Sequence, residues 1–135
     1  MKKTVLTIQK GFEIGNRHFA IREAESGLLA NTNHFTSDEM RPFYVDTDAA
    51  AVRGNSQRRY EFLTRRLRQV YGRIDLDFAQ DLMGSHADRL ASICRHPTAD
   101  ETTSTISASI FLPGQRRMFF CHGYPCSRAY IALGW

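Results

Sequence analysis

Residues 103–122 read TSTISASIFLPGQRRMFFCH, and this stretch sets the fold class. Thr103–Leu112 is rich in β-branched and small residues, Pro113-Gly114-Gln115-Arg116 is a turn signal, and Arg117–His122 is a second strand-forming run. Together they spell a β-hairpin with a four-residue connection. Helices are expected upstream. Tyr60, Leu63, Leu67 and Val70 recur at helical spacing, so 57–71 is expected as a helix with Ser56 as N-cap and Gly72 near its end. Asp75 or Asp77 caps a shorter helix holding Phe78, Leu82 and Met83, stopped at Gly84, and residues 87–93 add a further helical turn. Further upstream, 4–9 and 17–24 are expected strands, punctuated by turns at Gly11 and Gly15-Asn16, and Gly27–Ala30 is a third short strand. Strands, then helices, then strands make an α+β fold with antiparallel sheet rather than βαβ units. With no repeat, low-complexity tract or linker, residues 1–135 read as a single domain.

The composition agrees. The 135 residues carry 18 Lys+Arg against 14 Asp+Glu, a formal charge of +4, with 42% hydrophobic and 24% charged residues. That balance belongs to globular domains and excludes disordered, collagen-like and membrane classes. No apolar run approaches the ~20 residues of a membrane helix. Met1-Lys2-Lys3 imitates a signal-peptide start, but Thr4–Gln9 is too short and polar to follow it, so a cytoplasmic protein is expected. Three cysteines, Cys94, Cys121 and Cys126, are too few for a disulfide framework. Much of the basic charge lies in Arg53, Arg58, Arg59, Arg65, Arg66, Arg68 and Arg73. Interleaved with apolar residues, these form the wet face of an amphipathic helix rather than a phosphate-binding stripe, so neither nucleic acid nor membrane is expected as a partner.

Four constellations could carry chemistry. Cys94-x-His96 and Cys121-His122-x-x-x-Cys126 supply metal-ligand residue types, but their spacing fits no zinc template, so no metal or other cofactor is expected. Cys94 and Cys121 read as small hydrophobes of the core. A thiol nucleophile needs an adjacent base, and neighbours on a strand, such as Cys121 and His122, point to opposite faces. No phosphate-binding glycine loop is present. Finally, Asn31-Thr32-Asn33-His34-Phe35 is dense in amide and imidazole groups. It is either a strand-end turn closed by side-chain hydrogen bonds or a set of preorganised donors able to hold an oxyanion.

That last segment, within Gly27-Leu28-Leu29-Ala30-Asn31-Thr32-Asn33-His34-Phe35, resembles the signature of the acyl-coenzyme A:6-aminopenicillanic-acid acyltransferase family. The resemblance continues in order through Ser56-x-x-Arg59-x-x-x-Leu63, Ser92-Ile93-Cys94-Arg95-His96, Thr105–Ile110, Arg117-Met118 and Gly123-x-Pro125-Cys126, covering about residues 27–131. It implies an autoproteolytic N-terminal-nucleophile hydrolase with a four-layer αββα fold, of which this chain is the C-terminal part. Its function would be acyl transfer or hydrolysis at amide or thioester bonds, on a small-molecule substrate. By position in the triplet, Asn33 would donate its amide to the oxyanion hole. His34 would orient the loop, line a substrate pocket or simply close a hydrogen-bond network. Arg95 would pair with a substrate carboxylate, or else with a buried carboxylate or carbonyl.

Two departures stand out. Asn31 occupies a position where the family usually has His. The nucleophilic cysteine is absent, since none of the residues before Asn31 is Cys and no Gly-Cys pair occurs. The expectation is therefore a truncated relative, a chain with its start assigned too far downstream, or one subunit of a split enzyme whose companion begins with Cys. The isolated chain would be inactive, would expose an apolar sheet face, and would be marginally stable, dimerise or aggregate. The alternatives are a vestigial or interaction domain without catalysis, and an Arg-rich nucleic-acid-binding protein.

Overall fold

The computed structural model describes residues 10–15, 17–45, 54–87, 92–99 and 102–135. They fall into two compact units, 10–70 and 71–135. Among the described residues the architecture is α+β, with two antiparallel sheets and two α-helices. Among the described residues no helix is long and apolar enough to cross a membrane.

In the first unit, β1 (Lys10–Gly15) pairs antiparallel with β2 (His18–Glu23), with Glu13 opposite Ala20 and Ile14 opposite Phe19. The expected strand at 4–9 lies outside the described residues. Gly11, expected in a turn, sits inside β1 opposite Arg22. Six paired positions hold this hairpin, and a glycine within a strand weakens such a ladder without ending it. The reversal follows Gly15, with Arg17 at φ +65°. Residues 27–30 do not form a strand. Ser26 and Gly27 both have positive φ, and the single bridge Glu25–Leu28 closes a tight turn, which the paired left-handed residues require.

Helix α1 spans Asn55–Gln69. Its N-cap is Gly54 at φ +77° rather than Ser56, and a glycine takes this left-handed conformation without a Cβ clash. The Ser56 hydroxyl is thereby released to neighbouring side chains. Among the described residues of this unit, Ala20, Met40 and Phe62 are buried together with the polar Glu13, His34, Asn55 and Ser56. The hairpin turns Glu13 and Ala20 inward. Its opposite face leaves Ile14, Phe19 and Ile21 exposed at 74%, 69% and 52%, so the larger apolar side chains point away from the unit's own core.

The second unit opens with α2 (Leu76–Met83), where the Asp75 carboxylate accepts the Phe78 N–H at 2.8 Å, so Asp75 rather than Asp77 is the N-cap. The helical turn expected at 87–93 is not seen at its described end: the N–H groups of Ile93 and Cys94 both donate to the Ser85 carbonyl. The hairpin of 103–122 forms as β3 (Ser107–Leu112) and β4 (Arg117–His122), joined by a 3-10 turn at Pro113–Gln115. A further strand, β5 (Ile131–Gly134), pairs with β4, Phe119 opposite Ala132. Ala108, Ile110 and Cys121 face inward, while Phe111, Ile131 and Leu133 are exposed. This sheet, too, has an open apolar side.

Candidate functional site

The segment 31–37 is held from three directions. From β1, Glu13 reaches its far end: Oε1 accepts Thr36 N–H at 2.8 Å and Thr36 Oγ1 at 2.7 Å, and Oε2 accepts Ser37 N–H at 3.0 Å and Ser37 Oγ at 2.5 Å. Burial alone would raise this carboxyl's pKa. The Ser37 hydroxyl, the Thr36 and Ser37 backbone N–H groups and the Thr36 hydroxyl outweigh it and hold the carboxyl at about 2. From β2, Arg22 donates to Ala30 O at 3.0 Å and Asn31 Oδ1 at 3.1 Å, reaches Tyr60 OH at 3.3 Å, and lies 3.6 Å from Glu13.

The third clamp is the first turn of α1. Thr32 Oγ1 donates to Ser56 O at 3.0 Å. The Ser56 hydroxyl stands 3.1 Å from Thr32 Oγ1 and 2.8 Å from His34 Nδ1, with one proton to give. His34 is buried and meets Tyr60 and Tyr44 edge-on. Burial lowers its pKa; Glu13 acts against this, and Arg22, Arg59 and Arg41 reinforce it, so neutral imidazole is favoured. The Arg59 guanidinium joins loop and helix: Nε donates to Asn55 Oδ1 and Nη2 to Asn33 Oδ1, both at 2.6 Å.

Asn33 and His34 thus sit on one braced loop in different roles. His34 closes a buried network, whereas Asn33 is exposed at the surface with its carbonyl oxygen held by a cation. With Oδ1 fixed by Arg59, the Nδ2–H donors face away from the guanidinium. A cleft of about 310 Å³ lies beside the loop, lined by Arg22, Leu29, Ala30, Tyr60, Thr64 and Leu67 among others. Asn33 and His34 lie outside its lining. Three further arginines of α1 have partners within the chain: Arg68 pairs with Glu25 at 3.0 Å, Arg66 reaches Gln69 Oε1 at 3.2 Å, and Arg65 lies over the Phe62 ring.

Arg95 belongs to the second unit and is half-buried. Its backbone is fixed by Thr105, whose hydroxyl accepts Arg95 N–H and whose own N–H donates to Arg95 O, each at 2.9 Å.

The second unit also gathers a set of side chains that sequence spacing concealed. His86, Cys94, His96 and Cys126 bring their ligand atoms within 4.8 Å of one another. His96 Nε2 is 3.7 Å from Cys94 Sγ and 3.3 Å from Cys126 Sγ. Cys94 is fully buried. That burial pushes its thiol pKa up; a Cys126 backbone N–H works against this, and the Cys126 and Cys121 thiols add to it. Cys121 and His122, adjacent on β4, do not join the set. Cys121 is buried with its thiol toward Arg128 O, and His122 is exposed.

Comparison with protein families, with curated proteins and with solved structures gives no match.

Proposed function

We propose that this chain supplies the oxyanion-stabilising loop of an N-terminal-nucleophile acyltransferase or amidase acting on an amide or acyl thioester. The observation carrying this reading is the 2.6 Å hydrogen bond from Arg59 to Asn33 Oδ1. It fixes the amide dipole and leaves the N–H donors available, as an oxyanion donor requires. The resemblance of Asn31–Phe35 to the acyltransferase family supplies the reaction class.

In this reading the nucleophile is an N-terminal Cys carried outside this sequence, on a longer form of the protein or on a companion chain. Its α-amine takes the thiol proton as sulfur attacks the substrate carbonyl carbon. The carbonyl oxygen becomes an oxyanion and accepts Asn33 Nδ2–H. Collapse then expels the amine or thiol leaving group, which takes the proton from the α-ammonium and leaves an acyl-enzyme for the acceptor. The apolar faces of Ile14, Phe19 and Ile21, and of Phe111, Ile131 and Leu133, suit sheets that are covered in a larger layered fold of αββα type.

Those same faces favour a second reading, a non-catalytic interaction domain. Affinity capture of the chain from its native cells, with intact-mass analysis of what is retained, separates the two. A companion beginning with Cys, or a longer form of this protein, together with amidase or thioesterase turnover, supports the enzyme. In that assembly Asn33→Ala lowers kcat about 10²–10³-fold. Unchanged turnover removes Asn33 from the mechanism, and a retained partner without turnover favours the interaction domain.

A further inference from the structure

We propose that His86, Cys94, His96 and Cys126 form a structural site for a zinc-class divalent cation. The inference stands on the second unit alone and goes beyond the acyl-transfer reading. Two sulfurs and two imidazole nitrogens are the donor set tetrahedral zinc prefers, and a set without a carboxylate among the described residues suits calcium and magnesium poorly.

The distances fit. With Zn–S near 2.3 Å and Zn–N near 2.0–2.1 Å, tetrahedral geometry separates the donors by about 3.3–3.8 Å. His96 Nε2 already lies at 3.3 Å and 3.7 Å from the two sulfurs, and all four donors lie within 4.8 Å of one another. Closing onto a central ion needs side-chain shifts of about 1 Å or less. Two thiolates and two neutral imidazoles would balance a divalent charge.

The backbone is arranged to bring these segments together. Ser85 O accepts both Ile93 N–H and Cys94 N–H, at 3.0 and 3.1 Å, which sets His86 beside Cys94. Gly84 approaches Cys126 so closely that a Cβ there would stand 3.2 Å from Cys126 Cα and 3.3 Å from Pro125 O. The Tyr124 ring lies against His96, 4.1 Å between centroids. Four protein donors fill a tetrahedron and leave no position for water, so the ion is structural rather than catalytic. It ties the end of α2, the 92–96 segment and the turn after β4 into one unit.

The test is metal analysis of the full chain, purified under reducing conditions without added metal, and Zn²⁺ titration of the chelator-stripped chain. One zinc per chain is expected, with an apparent Kd of about 50 nM or tighter. Co²⁺ should give the intense visible bands of tetrahedral coordination and near-UV thiolate charge transfer. His86→Ala and Cys126→Ser, both at exposed positions, should weaken binding at least about tenfold, while Cys121→Ser should keep it. A reduced, cooperatively folded chain that takes up no Zn²⁺ overturns the proposal. So does binding that His86→Ala and Cys126→Ser leave unchanged, or that Cys121→Ser removes as fully as Cys126→Ser does.

Discussion

Replacing Glu13 by Gln keeps the side chain's shape and removes its charge. In the folded chain this buried carboxylate accepts four hydrogen bonds from Thr36 and Ser37, which bring its pKa from 4.5 to about 2. At about 1.4 kcal/mol per pKa unit, the ionised form contributes on the order of 3 kcal/mol. Because the folded value is the lower one, this contribution is complete at pH values above about 4.5 and disappears as pH falls toward 2. The glutamine also turns an NH2 group toward hydroxyl and backbone N–H donors. Glu13→Gln should therefore destabilise the first unit by about 3 kcal/mol at pH 7, with the gap to the parent chain narrowing between pH 4.5 and 2. Amide hydrogen exchange at Thr36 and Ser37 reads the effect locally, and urea unfolding followed by far-UV circular dichroism reads it globally. Parallel stability curves for the two chains from pH 7 to pH 2, or a Glu13 carboxyl that titrates near 4.5 by NMR, would refute the argument.

Two further substitutions probe the two units separately. Ser56→Ala removes the hydroxyl shared by Thr32 and His34 at a buried position, and a cost of about 1–3 kcal/mol is expected in chemical denaturation, as for other buried groups left without a partner. Gly84→Ala drives a methyl group against the Cys126 and Pro125 backbone at 3.2–3.4 Å; main-chain atoms yield poorly, so a loss of about 1–3 kcal/mol should appear as a lower Tm.

Elements written in local chemistry were legible in the sequence, and elements fixed by distant partners were not. The 103–122 hairpin and the Asp75 cap follow from turn residues and a capping carboxylate within a few positions. β5 had no such signal: Ile131–Gly134 is short, and its register is dictated by β4. Ser56 looked like a cap because hydroxyls commonly are, yet its partners Thr32 and His34 lie more than twenty residues away. The polar segment 31–35 stood out by composition, but its Glu13, Arg22 and Arg59 braces appear only once strand, loop and helix are assembled. The His/Cys set was hidden for the same reason. Its members come from three segments, with Cys126 thirty residues beyond His96, and no local spacing rule joins them.

Arg59 gives α1 a mechanical hold on its neighbour, because one guanidinium grips Asn55 in the helix's own first turn and Asn33 across the gap. Side-chain ends lie about 5–6 Å from a helix axis. A rotation of α1 by only 10° would therefore carry the guanidinium, and the amide it grips, through about 1 Å. In the acyl-transfer reading proposed above, a displacement of that size would change the rate about a hundredfold. The azimuth of α1 would thus set the position of the Asn33 amide, and a load applied to the helix would be felt at the loop as a shift of that amide rather than a loss of structure.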